Sequence, residues 1–164
     1  MHLRVAIDAN VLIAGIVWPR WQHAILMHAL NDDFTLILSP LIIAEAQRHI
    51  SRKFPEFLDG FPILLLALEY ERAPIPTKQE IAAQPDLVRQ KEDIPVALSI
   101  QKAHAHYFIT YDKDFTDQNS STKKVQRAIP GIMLPPVFLR DVMGWTSEEL
   151  EVIRYRNWDD VGGK

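Results

Sequence analysis

Residues 3–10, LRVAIDAN, run a short aliphatic segment straight into an aspartate, and the reading of this junction decides the fold. Val5 and Ile7 alternate as they would on one face of a strand, Leu3–Asp8, and the apolar NVLIAGIV that follows from Asn10 has a helical pattern. Asp8 therefore stands at the end of a buried strand. An ionised group there needs compensation, and Ala9-Asn10 supplies no cation. Asp8 is the first candidate functional residue.

The same grammar recurs along the chain. FTLIL (34–38) is a second strand, and Ser39-Pro40 then provides an N-cap and a first-turn proline for a helix to about Phe54. YFITY (107–111) is a third strand and ends at Asp112, before a polar, acidic loop over 112–121. Ile132–Leu134 is the last strand, and Pro135-Pro136 opens a helix to Val142. Between them, a helix starts near Pro19 and reaches Leu30, and a very apolar helix covers 60–72, expected to pack on both sides. Thr77 with Glu80 forms a capping box for a short helix to about Gln84. Asp93 heads a helix to about His104, with Pro95 tolerated in its first turn. Thr146 with Glu149 caps a terminal helix, and residues 145–164 end in a tail, VGGK, expected to fray. Strands separated by helices imply parallel pairing. The fold class expected is α/β, a three-layer α/β/α sandwich with a central, mainly parallel sheet, in one domain over residues 1–164.

Composition narrows the functional classes. The 164 residues include no cysteine, which removes disulfides, thiolate metal sites and cysteine nucleophiles. No apolar run reaches the roughly 18–20 residues of a membrane span, and the N-terminal apolar stretch is interrupted by Asp8 and Asn10, unlike a signal peptide. A cytoplasmic protein without membrane contact is the expectation. The net charge of −3 argues at first against a nucleic-acid partner, but setting four carboxylates aside in a cation pocket turns the remainder to +1. Local charge, not the total, governs such binding. Arg20, Arg48, Arg52, Arg89, Lys91, Lys113, Lys123, Lys124 and Arg127 are available for phosphates, although each taken alone reads best as a solvated surface charge.

In an open parallel sheet, ligands bind at the carboxyl ends of the strands. Asp8 and Asp112 lie there, Asp93 heads a helix whose N-terminus faces the same edge, and Glu45 sits in the helix leaving the second strand. Each has an ordinary explanation too. Asp93 could be an N-cap, Asp112 and Asp114 turn formers, and Glu45 a solvated partner of Arg48 or His49. Their joint placement raises the functional reading. Carboxylates cannot crowd together ionised without counter-charge, and oxygen-only donors favour Mg²⁺ or Mn²⁺. Phosphodiester hydrolysis is the chemistry that suits such a site.

These motifs resemble the PIN-domain family. VAIDANVLIAG is similar to its N-terminal signature, KEDIPVALSIQKAHAHYFITYDKDF to its aspartate-headed helix, strand and Thr-x-Asp-x-Asp-Phe ending, and GIMLPPVFL to its closing strand and proline-led helix. The resemblance implies that Asp8, Glu45, Asp93 and Asp112 are metal ligands and catalytic residues. It implies that Asp114 is an auxiliary acid, and that Asn10 and Thr110 orient Asp8, Asp112 or a water. It further implies Mg²⁺- or Mn²⁺-dependent cleavage of single-stranded RNA, frequently as the toxin of a toxin–antitoxin pair with a protein antitoxin. A homodimer is expected.

Other features carry less. The six histidines are scattered, and His104 and His106 straddle a helix–strand junction in a way that disfavours a zinc site. Trp18 and Trp21 could stack on RNA bases, although core packing or a dimer contact is the commoner role. Ser120, Ser121 and Thr122 have no partner His in a recognisable constellation, and no glycine-rich phosphate loop is present. Two rival classes remain: an RNA-binding or antitoxin-regulated module with little turnover, and an aspartyl-phosphate protein of flavodoxin-like fold. The latter wants a lysine on a strand end, and none is found.

Overall fold

The computed structural model describes residues 2–162. Five strands, β1 (Arg4–Ile7), β2 (Thr35–Leu38), β3 (Glu71–Arg72), β4 (Tyr107–Ile109) and β5 (Ile132–Met133), form one sheet in the order β3-β2-β1-β4-β5. Every pairing is parallel. Helices flank the sheet, giving the three-layer α/β/α sandwich expected. Val5, Ala6 and Ile7 are all fully buried, so β1 is covered on both faces and not on one alone. That is the condition of a central parallel strand.

Helix α1 (Ala9–Val17) follows β1, and α2 (Trp21–Leu30) packs against it. Ser39 caps α3 (Pro40–Lys53) by accepting the Leu41 N–H at 3.2 Å, with Pro40 at the first position. The Ser39 hydroxyl is buried 2.9 Å from that of Ser99, which lies in α6 (Ile94–Lys102) and reaches the Pro74 carbonyl at 2.6 Å. This three-way bond ties the end of β2, the segment after β3 and the α6 core together. Helix α5 (Lys78–Ala82) carries the capping box of Thr77 and Glu80.

Three expectations are corrected. The apolar segment at 60–72 is a shorter helix, α4 (Phe61–Leu68), ended by Glu69 in the left-handed region (φ 48°), and Glu71–Arg72 becomes the edge strand β3. Nor is α4 packed on both sides, since Ile63 is 69% and Leu66 79% exposed. A two-residue exposed strand has no apolar alternation to betray it. Its Glu71 is instead held by an ion pair with Arg4 of β1. The polar stretch after β4 is not all loop: it contains α7 (Lys113–Thr116), and α8 (Lys123–Ala128) follows with Val125 buried. The C-terminal region holds α9 (Pro135–Asp141), α10 (Ser147–Ile153) and a further turn of helix, α11 (Trp158–Val161). This last turn is tied back to the body of the fold. Trp158 Nε1 donates to the Val17 carbonyl at 2.7 Å, and Arg156 Nε to that of Pro19. The last two residues of the tail lie outside the described ones.

Trp18 packs edge-on against Phe54, and Trp21 Nε1 donates to the Leu150 carbonyl. Both are engaged in packing. His104 sits in the left-handed position just past α6, and His106 Nδ1 accepts the Arg4 N–H, so neither is placed for a shared metal.

Replacing Ser99 by Ala takes the hydroxyl donor from the Pro74 carbonyl and leaves the Ser39 hydroxyl with the Leu41 N–H alone. We expect a loss of about 1–3 kcal/mol in urea denaturation; an unchanged midpoint would contradict this account of how α3 and α6 are joined.

Candidate metal centre

The chain lays β2 and β3 on one side of β1, then returns to lay β4 and β5 on the other. The crossovers therefore diverge between β1 and β4, and the crevice at the carboxyl ends of these two strands is the ligand position for such sheets. Asp8 ends β1, with its N–H donating to the Ile109 carbonyl of β4 at 3.0 Å. Thr110 follows β4 and is fully buried. Its hydroxyl donates to Asp8 Oδ2 at 2.6 Å and accepts the Asp112 N–H at 3.0 Å. Only a hydroxyl can do both. Ala9 N–H reaches the other Asp8 oxygen at 2.9 Å. Asn10 extends the same bridge, with Nδ2 3.5 Å from Asp8 Oδ2 and Oδ1 accepting the Tyr111 N–H at 3.3 Å.

Asp112 caps α7, its Oδ1 accepting the Asp114 N–H at 2.9 Å. The turn-forming role anticipated for it is thus real, and it occupies one oxygen. Asp93 closes a 3-10 turn, Lys91–Asp93, just before α6, and makes no side-chain capping bond. The competing explanation for Asp93 does not operate. Carboxylate oxygens from Asp93, Asp112 and Asp114 lie within 4.8 Å of one another. This triad could bind a metal ion.

The electrostatics show what crowding costs. Burial pushes the Asp8 carboxyl up to about 6, against the opposing hydrogen bonds from Thr110 and Ala9, and the charges of Glu45 and Asp112 add to the rise. Although the residue as a whole is only partly buried, its carboxyl is closely enclosed by protein atoms. Burial is also the main cause at Asp93, which reaches about 7. The Asp112 and Asp8 charges, a hydrogen bond to Asp112 and the charge of Asp114 raise it further. Around neutral pH, Asp93 therefore retains a proton part of the time, beside the Asp112 charge that helps to hold it there. A divalent cation is the alternative counter-charge. The donors in the triad are all oxygens, with no thiol or imidazole among them, which suits a hard cation.

The sequence-derived residues are thus placed unequally. Asp93 and Asp112 meet, and Asp114, expected only as an auxiliary acid, is a full member of the cluster. Asp8 stands beside them, near enough for its charge to act on Asp93. Glu45 is exposed and outside the triad, but its charge bears on Asp8. Glu45 is thus solvated, as its ordinary explanation had it, but no ion pair with Arg48 or His49 forms among the described residues. One residue went unmarked except as one of many cations. Arg89 donates from Nε to Asp114 Oδ1 at 3.0 Å, with a second guanidinium nitrogen 2.9 Å from the same oxygen. The two residues are 25 positions apart, and nothing local in the sequence signals the pair.

No family model and no curated protein matches the chain. Among solved structures it is similar to the crystal structure of PAE2754 from Pyrobaculum aerophilum, with 13% identity over 87% of this chain and 91% of that one, at a TM-score of 0.57. At that identity the likeness supports the fold and nothing further. No helix among the described residues is long and apolar enough to cross a membrane.

Two outcomes follow. With the Asp8 and Asp93 pKa values raised on folding, the native state holds more protons than the unfolded chain between about pH 4 and 7. Stability in EDTA must then fall as pH rises through that window. Thermal melts should show a lower Tm at pH 7.5 than at pH 5, a smaller difference in Asp93→Asn, and recovery at pH 7.5 on adding divalent cation; a Tm rising with pH would contradict the assignment. Thr110→Val should weaken cation binding, read by calorimetry, by about 10–100-fold, the usual cost of losing an orienting partner. Thr110→Ser should keep most of it.

Proposed function

We propose that the chain is a divalent-cation-dependent endoribonuclease of the PIN-domain type, cutting single-stranded RNA. The observation that carries this reading is the convergence of Asp93, Asp112 and Asp114 beside Asp8 at the switch point of a parallel sheet. Mg²⁺ or Mn²⁺ fits the all-oxygen donor set. Asp93, Asp112 and Asp8 would hold the cation, with Asp114 as a further oxygen donor and Glu45 adding negative charge from its helix. When bound, the cation supplies Lewis-acid charge for phosphodiester hydrolysis.

The chain's own residues prepare that chemistry. Thr110 holds Asp8 and the Asp112 backbone in fixed relation, so the carboxylates need not reorganise to receive charge. Asp93 would give up its proton on taking part in cation binding, so affinity would rise with pH. Arg89 offsets the charge of Asp114 and keeps its oxygen directed at the cluster. The reading includes work in the cytoplasm as a homodimer and, as in toxins of toxin–antitoxin pairs, control by a protein antitoxin.

The full chain should cut single-stranded RNA oligonucleotides in Mn²⁺ or Mg²⁺, stop in EDTA and resume when cation is returned. Asp112→Asn should slow cleavage by about a hundredfold or more, a loss of roughly 2.7 kcal/mol of transition-state stabilisation. Cleavage that ignores EDTA, or an Asp112→Asn variant with the parent rate, would overturn the proposal. Cation binding without cleavage of any RNA in a broad panel would leave a binding module instead.

A further inference from the structure

Beside the acid cluster lies a cleft of about 480 Å³ whose wall carries Arg89, Lys91 and Lys124, with the Ser120 and Ser121 hydroxyl residues and a single acid, Asp86. Two segments distant in sequence build it. The first, 85–91, is anchored by buried Leu87 and Val88, and Arg89 and Lys91 beyond them are exposed. The second, 117–124, is folded on itself: Asn119 Oδ1 accepts from the Ser121 N–H and hydroxyl, and buried Thr122 bonds the Asp117 carbonyl. Val125 pins it to the core and leaves Lys124 exposed. The cations are thus presented by ordered backbone, and the cleft has the size of a small-ligand site.

Arg89 joins this cleft to the acids. It uses Nε and one terminal nitrogen on Asp114, yet its side chain is 65% exposed, so part of a five-donor fork still faces the opening. Lys91 and Lys124 against Asp86, with Arg89 shared between the cleft and Asp114, leave this wall net positive on a chain of net −3, next to the acid cluster.

We propose that this cleft is a phosphate subsite for the backbone of single-stranded RNA, holding a nucleotide adjacent to the one at the acid cluster. Lys91 and Lys124 supply point charges there, and Arg89 is the positioning residue shared by both sites. The proposal rests on the nuclease reading for its substrate, but its binding step needs no cation. It therefore predicts RNA affinity in EDTA.

The test is fluorescence anisotropy with a labelled, single-stranded oligoribonucleotide and the full chain in EDTA, across a salt series. Lys91→Ala combined with Lys124→Ala should weaken binding about tenfold or more. It should also flatten the slope of log K against log salt by about 1.4, since each single-strand phosphate contact contributes about 0.7. Arg48→Ala combined with Arg52→Ala, which removes two exposed cations from a separate cleft on α3, should change neither quantity. Parent-like affinity and slope in the Lys91/Lys124 variant would overturn the subsite. So would equal weakening in the Arg48/Arg52 variant, or no binding by the parent chain. Inorganic phosphate, added at constant ionic strength, should compete with the RNA; failure to compete would also count against a phosphate site. Loss of cleavage in cation with these binding results intact would remove the nuclease reading and leave the subsite standing.

Discussion

A carboxylate at the end of a buried strand is held in place by one hydroxyl, and the site grows around that bond. Thr110 donates to Asp8 and accepts from the backbone of Asp112, so a single buried oxygen fixes the ends of β1 and β4 to each other. Parallel pairing puts those ends side by side, and the change of crossover direction between the two strands opens the crevice above them. Packing and polar satisfaction agree here. Among the described residues no buried side-chain nitrogen or oxygen lacks a partner, so the expense of the site is charge repulsion and not lost hydrogen bonds.

That repulsion is the second constraint. Enclosure raises the Asp8 and Asp93 carboxyls, and their neighbours raise them again. Natural structures keep such arrangements where the misfit has a use, and perturbed acids in a crevice are a recognised mark of function. Arg89 relieves only one member, Asp114, and does so from the outside. The remaining charge has to be met by protons or by a cation. On the proposed reading, the site is protonated at low pH and takes a cation as its counter-charge at neutral pH.

Much of the fold was legible because buried parallel strands advertise themselves. LRVAID, FTLIL and YFITY are apolar, short and bounded by helix-starting residues. The Ser39-Pro40 start and the two capping boxes behaved as local chemistry dictates. Glu71–Arg72 was invisible for the opposite reason: an exposed two-residue strand is defined by its neighbour β2, not by its own pattern. The exposed Ile63 and Leu66 made α4 read as a buried helix, since sequence reports hydrophobicity and not what remains to cover it. At the site, strand-end position located Asp8 and Asp112. The grouping of Asp93 with Asp114, and the Arg89 contact, depend on tertiary distances between segments about twenty residues apart and could not be read in advance.

On the proposed reading, the acid rim at the β1–β4 switch point is a divalent-cation site. Crystals of the protein soaked in Mn²⁺ at pH 7.5 and measured for anomalous scattering test it most directly. A peak is expected within about 2.0–2.4 Å of oxygens from Asp93 and Asp112, with Asp8 or Asp114 close by. A map with no peak at that rim, or with Mn²⁺ only at sites elsewhere on the surface, would contradict it.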